Sequence, residues 1–285
     1  MNKNYEFFEI KIENKIANVI LNNPAKRNAL TINFWKNLPE IINQIDENVL
    51  ARAIILSAKG SHFSSGLDLS LFGHEIFNVK DSKKNDTAVR QYGLKFQDFL
   101  KILQDAISSL ENCRLPVIAA IQGACIGGGL DLVSACDIRM GTKDCYFSIL
   151  ESRIGLVADV GTFPRLVKLV PEGLIKELAY TGRNFYAEEA KEAGFLNKIC
   201  NDKYSLLEEC MATAQLIANN APLTVHGCKR AINFTKDHST QEGLNWVSMW
   251  NAAMLNSNEI HEGLKALQSK KSGDFSDLPK KNEVL

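Results

Sequence analysis

Apolar and polar residues alternate in two segments near the start of the chain. The segments cover residues 7–12 and 16–21, and Asn14-Lys15 lies between them. Alternation with a period of two is typical of a strand that buries one face, and a two-residue polar break fits a tight turn. The pattern therefore predicts that the chain opens with a β-hairpin.

Short apolar runs and segments of helical spacing then follow one another. Residues 53–56 and 117–121 are wholly apolar and too short for helices, which indicates buried strands. Residues 29–45 have helical spacing but contain Pro39, so we expect a kinked or divided helix there. Residues 96–110 are expected to form a long helix. Because strands alternate with helices, the pattern favours an α/β fold.

Shorter elements are predicted in the middle of the chain, and helices dominate after it. The middle elements are a buried helix at residues 130–135 and strands at 138–140 and 146–149. The later helices are expected at residues 163–170, 174–181, 187–193, 206–218, 224–234 and 241–269. The last of these has an apolar stripe that includes Leu244, Val247 and Trp250, which predicts packing against the main body or against another subunit.

One long segment has no regular pattern. Residues 70–92 are polar and irregular, and they include a cluster of charges at 80–86. We expect a mobile loop over one face of the molecule, where such loops often shape a substrate pocket.

Length and charge limit the classes of function. The chain has 285 residues, which is enough for one large α/β unit with an appendage. Its 33 lysines and arginines equal its 33 aspartates and glutamates, so no overall field attracts nucleic acid. The balance argues against a dedicated nucleic-acid binder.

Cysteine usage and the two ends of the sequence bear on the compartment. The seven cysteines include no C-x-x-C pair and have mostly apolar neighbours, so we expect reduced, buried thiols. No apolar run is long enough to span a membrane, and the first residues lack the order of a signal peptide or an arginine-rich transit segment. The final Asn-Glu-Val-Leu is not the peroxisomal Ser-Lys-Leu signal. A cytoplasmic protein is expected.

Two glycine-bearing loops, each after a buried strand, are candidates for chemistry. They are Ser64-Ser65-Gly66-Leu67-Asp68 and Gly127-Gly128-Gly129. Glycine lets the backbone approach a ligand closely, and amides outside a sheet ladder can stabilise a developing negative charge as an oxyanion hole. Ordinary turns at strand ends would leave the same pattern, so the residues alone leave both interpretations open. A phosphate loop is disfavoured because no lysine followed by serine or threonine comes after the glycines.

Three acidic residues lie at or after the second loop within mostly uncharged sequence. They are Asp131, Glu151 and Asp159. A carboxylate in such surroundings needs a partner or a raised pKa. Caps or structural ion pairs are the alternative, because three arginines lie nearby in sequence: Arg139, Arg153 and Arg165.

Metal and nucleophile chemistry have less support. The five histidines are scattered without H-E-x-x-H spacing, and no G-x-S-x-G elbow is present. Ser64 and Ser65 have no evident base in the sequence. We therefore expect neither a metal site nor a bound cofactor.

The motifs F-S-S-G-L-D and G-A-C-I-G-G-G-L-D-L-V-S-A-C-D-I-R together resemble the enoyl-CoA hydratase/isomerase (crotonase) superfamily. N-P-A-K-R-N-A-L at residues 23–30 and A-P-L-T at 221–224 are similar to further elements of that family. The resemblance implies a spiral of ββα units at residues 1–200 and a C-terminal helical trimerisation region at 201–285. It also implies an acyl-CoA thioester substrate, so that coenzyme A is part of the substrate, and trimers that often pair into hexamers.

The resemblance places the family's functions on particular residues. Its oxyanion hole falls on the amides of Leu67 and Gly128. Substrate binding falls on the first glycine loop and Gly128, that is on Ser64, Ser65, Gly66, Leu67, Asp68 and Gly128.

The acids distinguish branches of the superfamily. Typical hydratases have glutamates at the positions of Asp131 and Glu151 and a glycine at Asp159, whereas the three acids present here look like the Δ3,5-Δ2,4-dienoyl-CoA isomerase branch. That branch implies that Glu151 removes a proton at C2, that Asp159 protonates C6 and that Asp131 adjusts their balance, although the base and acid assignments could be exchanged. The alternatives are a 2-enoyl-CoA hydratase, a Δ3-Δ2-enoyl-CoA isomerase, and a non-catalytic acyl-CoA binder or RNA-binding relative.

Overall fold

The computed structural model describes residues 5–73 and 86–281. Within them the strands are β1 (Phe8–Glu13), β2 (Ile16–Leu21), β3 (Ala53–Ala58), β4 (Val117–Ile121), β5 (Ala124–Ile126), β6 (Ile138–Thr142), β7 (Tyr146–Ser148), β8 (Phe185–Tyr186) and β9 (Lys198–Cys200). The helices are α1 (Ile32–Glu47), α2 (Asp86–Asn112), α3 (Gly128–Ser134), α4 (Thr162–Leu166), α5 (Glu172–Thr181), α6 (Ala187–Glu192), α7 (Lys203–Ala218), α8 (Pro222–Thr235), α9 (Thr240–Met254) and α10 (Ser257–Ser269).

The predicted hairpin is confirmed. β1 pairs antiparallel with β2, and Glu13 faces Ile16 across the turn. Asn14 and Lys15 both have a positive φ, of 50° and 62°. Two successive residues in this region give the turn the twist of the strands it joins.

The central strands of the larger sheet, β3 and β4, are buried on both faces. Its strand order is β1-β2-β3-β4-β6-β9, and every pair after the hairpin is parallel. Alternate residues of one strand enter different hydrophobic clusters: Ile54 and Leu56 pack on the side of α1, whereas Ile55 packs on the side of α7. Burial on both faces explains why β3 and β4 are wholly apolar over their central residues.

A second, smaller sheet has the order β5-β7-β8. An isolated bridge between Ser64 and Cys125 joins the first glycine loop to β5. The α/β prediction is confirmed, and this small sheet places the two glycine loops side by side.

The helix at Pro39 is continuous, so the expected division of this segment is wrong. α1 includes Pro39 and begins at the Thr31 cap, whose side chain accepts a hydrogen bond from the Phe34 amide. Proline removes one backbone donor. The buried face formed by Phe34, Leu38 and Ile42 stabilises the helix, since a fully buried side chain of this size contributes about 1.5–3 kcal/mol.

The expected loop at residues 70–92 is wrong at both of its ends. Leu69–Gly73 is a 3₁₀ helix, and α2 already begins at Asp86. Residues 74–85, with most of the charge cluster, lie outside the described residues. Val89 and Leu94 of α2 are largely exposed, so the first half of this helix lacks the apolar stripe by which a helix is recognised.

The C-terminal segment expected as one helix is two. α9 ends at Met254, and Asn256 then caps α10 by accepting a hydrogen bond from the Asn258 amide at 2.9 Å. Part of the predicted stripe packs on α8, where the Trp250 ring lies 5.7 Å from the His226 ring, whereas Leu244 and Leu255 are exposed. Contact with another subunit stays a prediction.

Three further expectations concern the whole chain. The described residues contain no helix that is both long and apolar enough to cross a membrane. All seven cysteines are free, but Cys228 is exposed, because its neighbours Gly227 and Lys229 occupy the buried face of α8. α7 packs against β3 and β4, and the division of the chain at residue 200 stays a prediction.

Candidate active site

The two glycine loops form one structure. Ser64 donates from its amide to the Ala124 carbonyl at 3.0 Å and accepts from the Ile126 amide at 3.1 Å. The backbone thus continues the small sheet as far as the residues that precede both glycine motifs. Residues far apart in sequence therefore meet at one edge of that sheet.

Two glycines permit the close approach of these loops. Gly66 has a φ of +85°, and a Cβ at this position would lie 2.8 Å from the Ile126 carbonyl oxygen. Gly127 has a φ of +52°. Both backbone conformations are ones that other residues rarely adopt, so the glycines are required by geometry.

The amides of Leu67 and Gly128 border the same space. A Cβ on Gly128 would lie 3.8 Å from the Leu67 nitrogen, and a Cβ on Gly66 would lie 3.5 Å from the Gly128 nitrogen. Gly128 begins α3, where the first N–H groups have no partner within the helix. The hydrogen bonds of residues 5–73 and 86–281 include none donated by either amide. Both are available to an acceptor between the loops.

Other residues of the first loop hold the loop itself. The Ser64 hydroxyl donates to the Asn28 carbonyl at 2.9 Å and accepts from the Gly66 amide at 3.1 Å. Asp68 is buried, accepts from the Ser70 amide at 2.9 Å and lies 3.4 Å from the Lys26 ammonium group. The side chains of Ser64 and Asp68 therefore keep the Leu67 amide in place, and Ser65 donates its amide to the Arg27 carbonyl at 2.9 Å.

The structure brings the three acids together. Asp131 lies in the first turn of α3, Glu151 begins a 3₁₀ helix after β7, and Asp159 precedes α4. The Glu151 Oε1 atom would lie 3.3 Å from a Cβ on Gly127, which places this carboxyl against the second glycine loop. Asp131 is within electrostatic range of Glu151 and Asp159, and Glu151 is within range of Asp159.

Burial raises the pKa of all three carboxyls. It raises the pKa of Asp131 to about 7, with repulsion from Glu151 and Asp159 adding to it and hydrogen bonds from Thr162 opposing it. Burial is also the main cause of the raised pKa of Glu151 and of Asp159. In the described part of the chain, the buried Glu151 Oε2 has no hydrogen-bond partner. Carboxyls of this kind can hold and release protons near neutral pH.

The three arginines near these acids in sequence bind elsewhere. Arg139 donates to the Phe195 carbonyl at 2.8 Å, and Arg153 donates to the Thr181 carbonyl at 3.3 Å. Arg165 pairs with Glu111 at 3.1 Å. The alternative that these arginines neutralise the acids is thereby excluded.

Two polar residues of the site were missed by sequence reasoning. The Thr162 hydroxyl donates to Asp131 Oδ1 at 2.6 Å, and Gln104 Nε2 donates to the Asp159 carbonyl at 2.8 Å. The two residues of the first hydrogen bond are 31 residues apart in sequence, and those of the second are 55 residues apart. The sequence contains no local signal for either of them.

A cavity of about 1,010 Å³ borders one side of this cluster. Asp159 and Gln104 are in its wall, which continues along α8, whereas Glu151, Leu67 and Gly128 are not. Asp159 is half-buried. The acids therefore differ in position: Glu151 lies at the amides, and Asp159 lies toward this cavity.

Comparisons with known proteins agree on one family. The family model for enoyl-CoA hydratase/isomerase matches residues 11–278. A peroxisomal Delta(3,5)-Delta(2,4)-dienoyl-CoA isomerase of Arabidopsis thaliana is 37% identical over 276 residues, which cover 97% of this chain and 98% of that protein. A mitochondrial protein of the same name from Mus musculus is 38% identical over 96% of this chain and 84% of its own length.

A solved structure shows the same fold. The enoyl-CoA hydratase of Bacillus anthracis has a TM-score of 0.82 and 27% identity, and the match covers 95% of this chain and 99% of that one. The expected crotonase fold is confirmed. The chain belongs to the enoyl-CoA hydratase/isomerase family.

Proposed function

We propose that the protein converts 3,5-dienoyl-CoA to 2,4-dienoyl-CoA, an isomerisation in fatty acid β-oxidation. The observation that carries this function is the cluster of three carboxyls with raised pKa, of which Asp131 is buried and the other two are half-buried, beside two available amides. Relatives that match almost the whole chain are named for this isomerisation. Coenzyme A enters as part of the substrate, and the expectations of no metal and no nucleic-acid partner stay predictions.

The Leu67 and Gly128 amides would donate hydrogen bonds to the thioester oxygen between them. Loss of the C2 proton leaves a trienolate whose charge resides largely on that oxygen, so donors already in place stabilise it more than the neutral carbonyl. Removal of one donor from such a site costs about 3 kcal/mol of transition-state stabilisation.

Glu151 is the proposed base at C2. C2 is bonded to the thioester carbonyl carbon, and Glu151 lies against Gly127, next to the proposed oxyanion hole. Its Oε2 atom is buried without a partner in the described residues, so a free acceptor is present there. Base and oxyanion hole are therefore close enough in the fold to act on neighbouring atoms.

Asp159 is the proposed acid at C6. When the proton leaves C2, the double bonds shift from C3=C4 and C5=C6 to C2=C3 and C4=C5, and C6 takes up a proton. Asp159 lies on the cavity side of the cluster, away from the amides, where a longer acyl chain would continue. A proton then returns from Glu151 to Asp159 before the next turnover.

A direct test follows the ultraviolet band of the conjugated product with a 3,5-dienoyl-CoA. We expect Glu151→Gln and Asp159→Asn each to lower kcat by at least about 10²-fold, since each removes a proton-transfer group, with substrate binding nearly unchanged. Asp144→Asn alters an exposed acid and should retain full activity. Full activity of Asp159→Asn would refute its assigned role.

Hydration is the second candidate function, because the structural relative from Bacillus anthracis is named an enoyl-CoA hydratase. Crotonyl-CoA loses its conjugated absorbance when water adds. We expect the parent protein to act on the dienoyl substrate and much less on crotonyl-CoA. The reverse order would favour the hydratase.

Location and assembly belong to the same proposal. Cytoplasmic placement stays a prediction, and the two relatives compared are named peroxisomal and mitochondrial. Cell fractionation with an antibody to the protein tests it. Assembly into trimers or hexamers is supported by the exposed apolar side chains of α9 and α10.

A further inference from the structure

A buried hydrogen bond joins α4 to the acid cluster. The Thr162 hydroxyl donates to Asp131 Oδ1 at 2.6 Å, and only 1% of Thr162 and 2% of Asp131 is exposed. The Thr162 amide also stabilises the ionised form of this carboxyl. A hydrogen bond to a charged group is stronger than one between neutral groups, and burial removes the competition of water.

The other groups that face Asp131 do not offset its charge. Glu151 and Asp159 are acids, and Cys125 on β5 is a buried thiol whose pKa is raised. Arg165 lies on α4 as Thr162 does, but its guanidinium binds Glu111 and Ser108 instead. In the described part of the chain, Thr162 is thus the residue that favours the ionised form of Asp131.

We infer that Thr162 is a positioning residue that limits protonation of Asp131 and so keeps the negative charge of Asp131 in the acid cluster beside Glu151 and Asp159. This rests on the proposed isomerisation, in which Asp159 must be protonated before turnover. The ionised Asp131 repels a second negative charge and thereby favours the protonated form of Asp159. If Asp131 were neutral, that repulsion would vanish and Asp159 would ionise at lower pH.

The test compares Thr162→Val, which keeps the shape but lacks the hydroxyl, with Thr162→Ser, which keeps the donor. In Thr162→Val we expect the alkaline limb of the pH profile of kcat/KM to move to lower pH by up to about one pH unit, because Thr162 acts on Asp159 only through the repulsion between Asp131 and Asp159. Above that limb kcat should fall about tenfold with KM nearly unchanged. Thr162→Ser should retain the parent profile.

A second variant keeps the inference testable if Thr162→Val does not fold. Asp131→Asn removes the charge itself, so it should move the alkaline limb in the same direction. Thr162→Val added to Asp131→Asn should then shift the limb no further, because the two changes act through one group. An additional shift in the double variant would overturn the inference.

A measurement without substrate separates the inference from the proposed function. Infrared spectra of the free protein, titrated with pH, report the carbonyl band of protonated carboxyls, and the band lost in Asp131→Asn belongs to Asp131. Titration of that band at higher pH in Thr162→Val than in Thr162→Ser supports the inference, and equal titration overturns it. If the parent protein fails to turn over dienoyl-CoA, the proposed function is refuted, and this infrared comparison still decides whether Thr162 controls Asp131.

Discussion

Gly66 shows how a single missing side chain can set the geometry of the site. Its φ is +85°, and a Cβ at this position would lie 2.8 Å from the Ile126 carbonyl oxygen, so alanine would push the two glycine loops apart. The Leu67 amide follows directly and would move with it. The proposed oxyanion hole depends on this one position.

We therefore expect Gly66→Ala to lower kcat by about 10²–10³-fold, the effect of losing one oxyanion donor. Gly173→Ala is the matched control, because Gly173 is exposed on α5 and a Cβ there meets nothing within 4 Å. Steady-state kinetics with a 3,5-dienoyl-CoA measure the effect, and circular dichroism checks folding. Parent-like kcat in folded Gly66→Ala would contradict the assignment of the Leu67 amide.

The residues of the site differ in how far sequence could predict them. The glycines and acids could be predicted to lie near one another, because the glycine loops follow buried strands of a parallel sheet and strand ends meet at one edge. Thr162 and Gln104 could not, since their hydrogen bonds connect separate parts of the chain and leave no periodic signal. Their roles depend on tertiary packing alone.

At the scale of elements, one buried aspartate connects three separate parts of the chain. Asp46, near the end of α1, is 1% exposed and pairs with Arg114 at 2.6 Å and with Lys281 at 2.7 Å. Burial would raise the pKa of Asp46, but the hydrogen bonds from Lys281 and Arg114 outweigh it and hold that pKa below its usual value. These two ion pairs connect the C-terminal segment and the residues just before β4 to the end of α1.

The lowered pKa of Asp46 in the folded state determines how the stability of the protein changes with pH. Asp46 contributes stability that is complete above its unfolded pKa of about 3.9 and is lost as pH falls through its lower folded pKa. We expect Asp46→Asn to lower the free energy of unfolding at pH 7 by about 2 kcal/mol, because it weakens both ion pairs of a buried carboxylate. The loss is no larger because Lys281 is partly exposed and water screens its ion pair. The difference from the parent should shrink as the pH is lowered toward about 3.

Urea denaturation at a series of pH values measures this dependence. Asp105→Asn is the control, because Asp105 and its partner Lys101 are 58% and 67% exposed on α2 and should contribute little. An equal loss of stability in both variants would argue against a special role of Asp46.

Sequence patterns predicted most elements but not their boundaries. Strands buried on both faces stand out as apolar runs, and the hairpin stands out through alternation, as β3 and β1–β2 show. The start of α2 was missed because Val89 and Leu94 face solvent, and the break between α9 and α10 was missed because apolar spacing continues across it. Capping by Asn256 decides that break, and a single asparagine is a weak signal.

At the scale of the whole molecule, the α/β class followed from alternating strands and helices, whereas the two sheets did not. β7 was predicted as a strand, but β5 with three residues and β8 with two are too short for a period to be recognised. The resemblance in the glycine motifs supplied the architecture that periodicity could not. Long-range pairing, such as that of β6 with β9, is decided by packing of the complete core.

The exposed apolar surface of the last two helices leads to a prediction about assembly. Leu244 on α9 and Leu264 and Leu267 on α10 are 59%, 52% and 79% exposed. Their transfer from water into a subunit interface would be favourable, and single chains rarely expose such groups of residues on adjacent elements. We expect the 31.7 kDa chain to form trimers or hexamers in solution.

Light scattering coupled to size-exclusion chromatography measures the mass of the assembly directly. Lysine at both Leu264 and Leu267 should reduce that mass, because two charges would have to be buried in the interface. Leu216→Lys, on α7 at a side chain that is 69% exposed, should leave the mass unchanged. A parent protein with the mass of one chain would contradict the prediction, and an unchanged mass in the double lysine variant would place the interface away from α10.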